Sequence, residues 1–413
     1  MNQPSSYRDA WASGSPSGER PAVIHVGRMI DGAGAVIADA AIHIEQGKIV
    51  YAGARNGSPP PPAESSVIDA AELTAMPGLI DGHNGYTGSL DTIPTLQGFL
   101  RYGVTTAATF LGNAAGKGSV MPLRKAISAG QLPGCAAILA GFVVNGSSAF
   151  QRGETADGPW AVRRAVRKAA EAGADFIKAA ATGSFANIAH RTYTREELHA
   201  LVDEAHSWGV PVAIHAHTQP GLGHVIEAGA DILVHGCMID RDAIDKMAKR
   251  GTRYMPTLRV TSKRNLSGFA EASSDKAIMT EAAPIHRAGV KLAIEAGVPI
   301  LMGGHGPGVK SIWPRSGETS AFELAELVEC GLTPHEAIRA ATLHAAEAFR
   351  LDKRIGSLAP GKQADLLLVR GNPLERIELL QERDAIAVVF RNGRIEHVHD
   401  AYKPIIGISH SPE

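Results

Sequence analysis

The chain has 413 residues, 44% of them hydrophobic and 20% charged, which is the balance of a folded, enzyme-sized protein and excludes a disordered chain. With 41 Lys and Arg against 42 Asp and Glu, the net charge of −1 provides no long-range field to draw the protein to nucleic acid or an anionic membrane. Cys135, Cys237 and Cys330 are too few and too scattered for a disulfide framework and suit a reducing compartment.

Residues 1–20 are polar and rich in Ser, Gly and Pro, which predicts a flexible tail rather than a signal peptide or anchor. No apolar run reaches the roughly 18 residues of a membrane span, and the cytoplasm is the expected location. Residues 22–26, 41–45 and 48–51 read as short alternating strands separated by Asp31-Gly32 and Gln46-Gly47 turns. Residues 59–62 form a stiff proline spacer. From residue 76 to 353 one unit repeats: a helical stretch, a glycine, then an apolar strand. The glycines are Gly103, Gly130, Gly173, Gly209, Gly229, Gly251 and Gly297, each placed as the left-handed residue that closes a helix. Strands are predicted at 78–82, 104–109, 136–142, 175–179, 211–217, 231–235, 253–258 and 299–303. Eight strands alternating with helices predict an α/β fold, a (β/α)8 TIM barrel with right-handed crossovers. Gly82-His-Asn-Gly85 is no phosphate-binding loop, which argues against a doubly wound sheet. Helices are expected at 319–330 and 333–349, then strands at 364–369, 386–390 and 394–397. Strand-rich sequence at both ends predicts a small discontinuous β-sandwich domain of residues 21–75 plus 354–404, beside a catalytic barrel of residues 76–353.

Of the 17 histidines, the informative ones stand at strand ends. His83, His215, His235 and His305 follow or end the first, fifth, sixth and eighth predicted strands, and Lys178 ends the fourth. This is the carboxyl rim on which barrels build their sites. Convergent neutral imidazoles make a borderline metal site, zinc by preference. A lysine there repels a cation unless CO2 converts it to a carbamate, an anionic oxygen ligand. His217, two residues beyond His215, shares its side of the strand and is a candidate pocket residue. Asn145 and Arg259 stand in the expected substrate loops, Arg259 because its fork matches a carboxylate. Residues 182–188 and 306–308 belong to the same loop set. His190, His199, His206, His224, His286, His335 and His344 read as structural, as does Cys237. Thr194-Arg-Glu-Glu197 reads as a capping box.

Met76-Pro-Gly-Leu-Ile-Asp-Gly-His83 resembles the strand-one signature of the amidohydrolase superfamily, in which the run leads to a His-x-His pair. Phe176-Ile-Lys178, Val212-Ala-Ile-His-Ala-His217, Asp231-Ile-Leu-Val-His-Gly236 and the stretches 333–343 and 356–366 are similar to further motifs of its imidazolonepropionase/prolidase-like branch, over residues 22–397 in all. The resemblance implies a barrel flanked by a composite β-sandwich. It also implies hydrolysis of amides, lactams, carbamates or ureas by metal-activated water, with a strand-eight aspartate as proton acceptor. By position it makes His83 the first histidine of the pair, Lys178 the carboxylated bridging lysine, and His215 and His235 the strand-five and strand-six ligands.

Two departures stand out. Gly85 replaces the second histidine, and His305 replaces the aspartate. Both lost groups serve the first metal, whereas the trio of the second, Lys178, His215 and His235, is intact. The expectation is therefore one divalent ion, most naturally zinc, on that trio, with His83 and His305 as acid–base or substrate-polarising groups. A variant has His83 and His305 join Lys178 around a second ion. The expected function is cleavage of a C–N bond in a small amide, lactam, carbamate, urea or capped amino acid. Two alternatives compete: a lyase, decarboxylase or isomerase that uses His305 for proton transfer, and a binding protein that has lost catalysis. The expected partner is a small molecule, with no nucleic acid and no membrane, and homo-oligomers are compatible with the resemblance.

Overall fold

A computed structural model of the chain describes residues 21–62, 64–84, 92–111, 121–150, 153–306 and 316–406. The predicted tail of residues 1–20 lies outside them, as do Gly85 and residues 307–308. The first strands are β1 (Ala22–Ile30), β2 (Val36–Glu45), β3 (Lys48–Ala54) and β4 (Ser66–Pro77). The predicted turn after β1 is held by the Asp31 carboxylate, which accepts from the N–H groups of Ala33, Gly34 and Ala35 at 2.7, 2.8 and 2.9 Å.

The barrel follows. Its strands β5 (Leu79–Asn84), β6 (Val104–Leu111), β7 (Ala137–Asn145), β9 (Phe176–Ala180), β10 (Val212–Ala216), β11 (Ile232–His235) and β12 (Arg253–Met255) lie side by side, and a short β8 (Glu154–Thr155) adds to β7. The eighth predicted strand closes the ring through main-chain bonds. Tyr254 N–H donates to Pro299 O (2.9 Å), Leu301 N–H to Tyr254 O (2.8 Å) and Gly82 N–H to Met302 O (3.1 Å). Around the strands run α1 (Thr92–Leu100), α2 (Met121–Ser128), α3 (Pro159–Glu171), α4 (Arg195–Ser207), α5 (Gly221–Glu227), α6 (Arg241–Arg250), the one-turn α7 (Lys263–Leu266) and α8 (Ser274–Glu295). All seven glycines predicted to stop helices have positive φ, between 67° and 90°. The capping box at α4 is present, with Glu197 N–H donating to the Thr194 hydroxyl at 3.2 Å.

Two predicted elements end early, each for a local reason. The seventh strand stops at Met255 because Pro256 has no N–H and Thr257 takes φ 54°, sending the chain into a 3-10 turn at Leu258–Thr261. After α9 (Glu318–Glu329), the helix expected at 333–349 divides into α10 (Pro334–Ala340) and α11 (Leu343–Ala348). At the break, the carbonyls of Ala340 and Ala341 accept from Met302 N–H (3.1 Å) and Ile80 N–H (2.7 Å), so the helix end serves two barrel strands. Then α11 plugs the floor: Ala345 and Phe349 pack with Ile80, Phe176, Ala213 and Leu301 inside the barrel. With the amino end filled, the carboxyl end is left for a site.

Finally β13 (Leu366–Arg370), β14 (Ile386–Arg391) and β15 (Arg394–Val398) return to the amino-terminal strands. β13 pairs antiparallel with β4, from Leu366 opposite Pro77 to Arg370 opposite Leu73. The result is one seven-stranded sheet in the order β15-β14-β13-β4-β1-β2-β3, built from both chain ends, in which β1 and β4 run parallel. The three cysteines are buried and unbonded. Among the described residues no helix is long and apolar enough to cross a membrane.

A methyl group added at Gly251 (φ 75°) meets nothing within 4 Å, so Gly251→Ala is expected to cost only left-handed strain, about 1 kcal/mol. One added at Gly141 stands 2.1 Å from the Phe176 ring, so Gly141→Ala should cost about 3 kcal/mol or more. Urea-unfolding midpoints of the two variants check that ranking.

Candidate active site

Alternation along a strand places every second side chain inside the barrel. Phe176 fills the floor, so Lys178 points up the interior, and Ala213 does the same for His215. β11 breaks the rule. Ile232 and Val234 are interior, which would turn His235 toward the helices, but its φ of 72° swings it back over the mouth. In β5 a register shift between Asp81 and Asn84 re-aims His83. His305 has φ 57°, and its N–H bonds His83 O at 2.8 Å. The outcome is a cluster of rings, in which His83 stacks on His305 while His215 meets His217 and His235, and His235 meets His305, edge to face. His83 and His305 centroids lie 4.7 Å apart, His215 and His235 4.7 Å, His215 and His217 4.4 Å, and His235 and His305 5.1 Å.

The hydrogen bonds of each ring decide which nitrogen keeps a lone pair. His215 Nε2–H donates to Gly183 O at 3.0 Å, because a carbonyl only accepts. Its Nδ1 therefore carries a lone pair, and that atom is buried without a hydrogen-bond partner. The Thr257 hydroxyl donates to Pro256 O at 2.5 Å, so it accepts from His235 Nδ1–H at 2.6 Å and leaves the lone pair of His235 on Nε2. His305 is the reverse case. The Arg259 guanidinium, which only donates, gives its Nη2–H to both Nδ1 and O of His305 at 3.0 Å, so a neutral His305 carries its proton on Nε2. Donor atoms of His83, His235 and His305 fall within 4.8 Å of one another.

Burial keeps this group of bases uncharged. Desolvation pushes His215 down to about 3, and holds His83, His217, His235 and His305 well below the ordinary imidazole value. The Lys178 ammonium, fully buried, is pushed down to about 7 by the same cause. Lone pairs on two buried histidines beside an amine that gives up its proton near neutrality are the donor chemistry of a divalent-ion site.

Two expected substrate residues take other work. Arg259 lines the cavity, but Nε–H bonds Gly304 O (2.9 Å), Nη1–H bonds Asn265 Oδ1 (2.9 Å) and Nη2–H bonds His305, so its fork is engaged by the protein. Asn145 does not reach the cavity wall: as the last residue of β7 it is buried, and its Oδ1 accepts from Ala180 N–H at 2.8 Å, two residues past Lys178. His217 does line the cavity.

Three supports went unseen in the sequence. The Asp81 carboxylate accepts from His83 N–H, Gly304 N–H and the Ser320 hydroxyl at 3.0, 2.9 and 2.8 Å, tying the first strand to the eighth. Glu323, pushed up to about 8 by burial, accepts from the N–H groups of Leu258 and Arg259 at 2.7 and 2.8 Å and shapes the turn that presents Arg259. Thr257 orients His235. Each signal is a contact over tens to hundreds of residues. Above the rings opens a cavity of about 420 Å³, walled by His215, His217, His235, His305, Arg259 and several aromatic side chains.

The model of the amidohydrolase family matches residues 74–395, which span every group just described. The chain belongs to the amidohydrolase family. It is 28% identical over 424 aligned residues to ochratoxinase of Aspergillus niger, covering 90% of this chain and 86% of the relative. Imidazolonepropionase of Geobacillus thermodenitrificans is 26% identical over 206 residues, 49% of this chain and 43% of that one. Among solved structures, a Xaa-Pro dipeptidase with bound methionine superposes with a TM-score of 0.76 at 27% identity, covering 91% of this chain and 99% of that one. As an amidohydrolase the chain is a hydrolase of carbon–nitrogen bonds, in a family that generally uses divalent metals.

Thr257→Val keeps the shape but removes the acceptor that holds the His235 ring, and is expected to weaken divalent-metal binding about 10- to 100-fold, with Thr257→Ser near wild type. Competition with a zinc chelator measures both.

Proposed function

We propose that this amidohydrolase cleaves a C–N bond in a small amide, lactam, carbamate, urea or capped amino acid at one divalent ion, zinc by preference. Lys178 as its carbamate, His215 Nδ1 and His235 Nε2 would hold the ion. The observation that carries this reading is the pair of lone pairs left by the Gly183 and Thr257 hydrogen bonds beside the buried Lys178. A Lys178 amine with a value of about 7 is neutral often enough to add to CO2, releasing one proton as the carbamate forms. Bound there, the ion supplies Lewis acidity and lowers the pKa of water.

One ion is favoured over two on electrostatic grounds. The Arg259 guanidinium, lowered only to about 10, stays charged and donates to His305, so positive charge stands on the side where a second cation would sit. The remaining steps belong to the chain. His305 Nε2–H donates a hydrogen bond to the carbonyl oxygen of the substrate as negative charge builds there. His83, neutral and stacked on His305, takes the proton of the attacking water and returns it to the leaving nitrogen. The C–N bond breaks, and acid and amine depart.

A dedicated comparison tests the roles. Chelation should abolish hydrolysis and about one zinc per chain should restore it; His235→Ala should lose the ion by elemental analysis. His305→Ala should keep the ion yet lose about 100-fold in kcat, the size of a missing oxyanion donor. Loss of zinc from His305→Ala would instead make it a ligand and overturn the assignment.

A further inference from the structure

Among the described residues, one carboxylate in the cavity has no answering group. Asp275, in the first turn of α8, lines the same space as His215, His235 and His305. Its Oδ1 is buried without a hydrogen-bond partner, and among the described residues no ion pair reaches the carboxylate. Its neighbours are occupied elsewhere: the Lys276 ammonium pairs with Glu271, and the Ser273 hydroxyl accepts from Lys276 N–H at 3.4 Å. A helix dipole rewards an acidic residue in the first turn, and on an open surface that would explain Asp275 fully. Here one oxygen is out of water, where a missing donor is costly.

Among the described residues much of the cavity wall beyond the histidines is apolar and aromatic. Phe185 and Phe269 pack on the small cluster of Val260, Leu266 and Met279, and the rings of Phe150 and Phe185 lie 4.9 and 4.7 Å from those of His215 and His217. Arg259 cannot answer an anion without giving up His305. A substrate carboxylate therefore meets apolar rings and an acid in this wall, whereas an ammonium meets its two natural partners, aromatic faces and a carboxylate.

We propose that the cavity selects substrates whose apolar, aromatic-sized portion carries a cationic amine, with Asp275 as the anionic partner and Phe185 and Phe269 as the faces against which the cation rests. This rests on the hydrolase reading for what is bound, but recognition can be measured without turnover.

The binding arm uses trimethyl(2-phenylethyl)ammonium, which cannot ligate a metal, titrated calorimetrically into the full-length, zinc-loaded chain. Asp275→Asn should bind it about tenfold more weakly, Asp275→Glu should stay near wild type, and added salt should weaken the wild type alone. Phe269→Leu, which leaves the carboxylate in place, should lose about threefold. The turnover arm compares phenylalanine 4-nitroanilide with its N-acetyl and N-succinyl forms; kcat/KM should fall in that order, and Asp275→Asn should flatten the series. Binding that depends on Asp275 with no turnover of any anilide would sustain the selection and count against anilide hydrolysis. Turnover with an order that Asp275→Asn leaves unchanged, or cation binding equal in both proteins, would overturn the selection and leave the hydrolase reading intact.

Discussion

Five imidazoles and a lysine amine share a water-poor space at the barrel mouth, and such a crowd of bases is tolerable only while it remains uncharged. Desolvation is the first cause of every lowered value in the group. Neutrality alone does not make a site, because a neutral imidazole has one donor and one acceptor nitrogen. The outer hydrogen bonds decide which one faces inward. A carbonyl behind His215 and a hydroxyl behind His235 turn lone pairs to the centre, and a guanidinium behind His305 turns a proton there. Three rings of the same chemical type thus acquire opposite functions from the groups bonded behind them.

Holding them requires backbone that the sheet alone would not adopt. His235, Thr257 and His305, all non-glycine, sit at φ 72°, 54° and 57° at the ends of neighbouring strands. Residues of this kind persist only where surrounding structure over-determines them. Asp81 and Glu323 provide that surrounding, each carboxylate taking two backbone N–H groups from the strand ends. The plug formed by α11 seals the opposite end, so the described polar network faces one way.

Replacement of the expected strand-eight aspartate by His305 changes the charge of that side of the site. An anion able to bind a cation and accept a proton gives way to a neutral donor backed by Arg259. The carboxylate that lines the cavity is Asp275, which shares the wall with three phenylalanines.

The order of strands and helices, the glycines that end the helices, and the rim position of Lys178 and four histidines follow from the sequence by itself, because they depend on local periodicity and on which residue tolerates positive φ. The joining of both chain ends in one sheet was legible too, from strand-rich termini around a helical middle. Which nitrogen each rim histidine turns inward was not legible. Asn145 and Arg259 looked like loop residues free to meet substrate, and their partners, Ala180 and His305, lie 35 and 46 residues away. His235 stands on the wrong parity of its strand and is rescued by a single left-handed residue conformation. Asp275 carries no motif at all. These assignments depend on contacts between separate strands and helices, and only the closed barrel brings those contacts together.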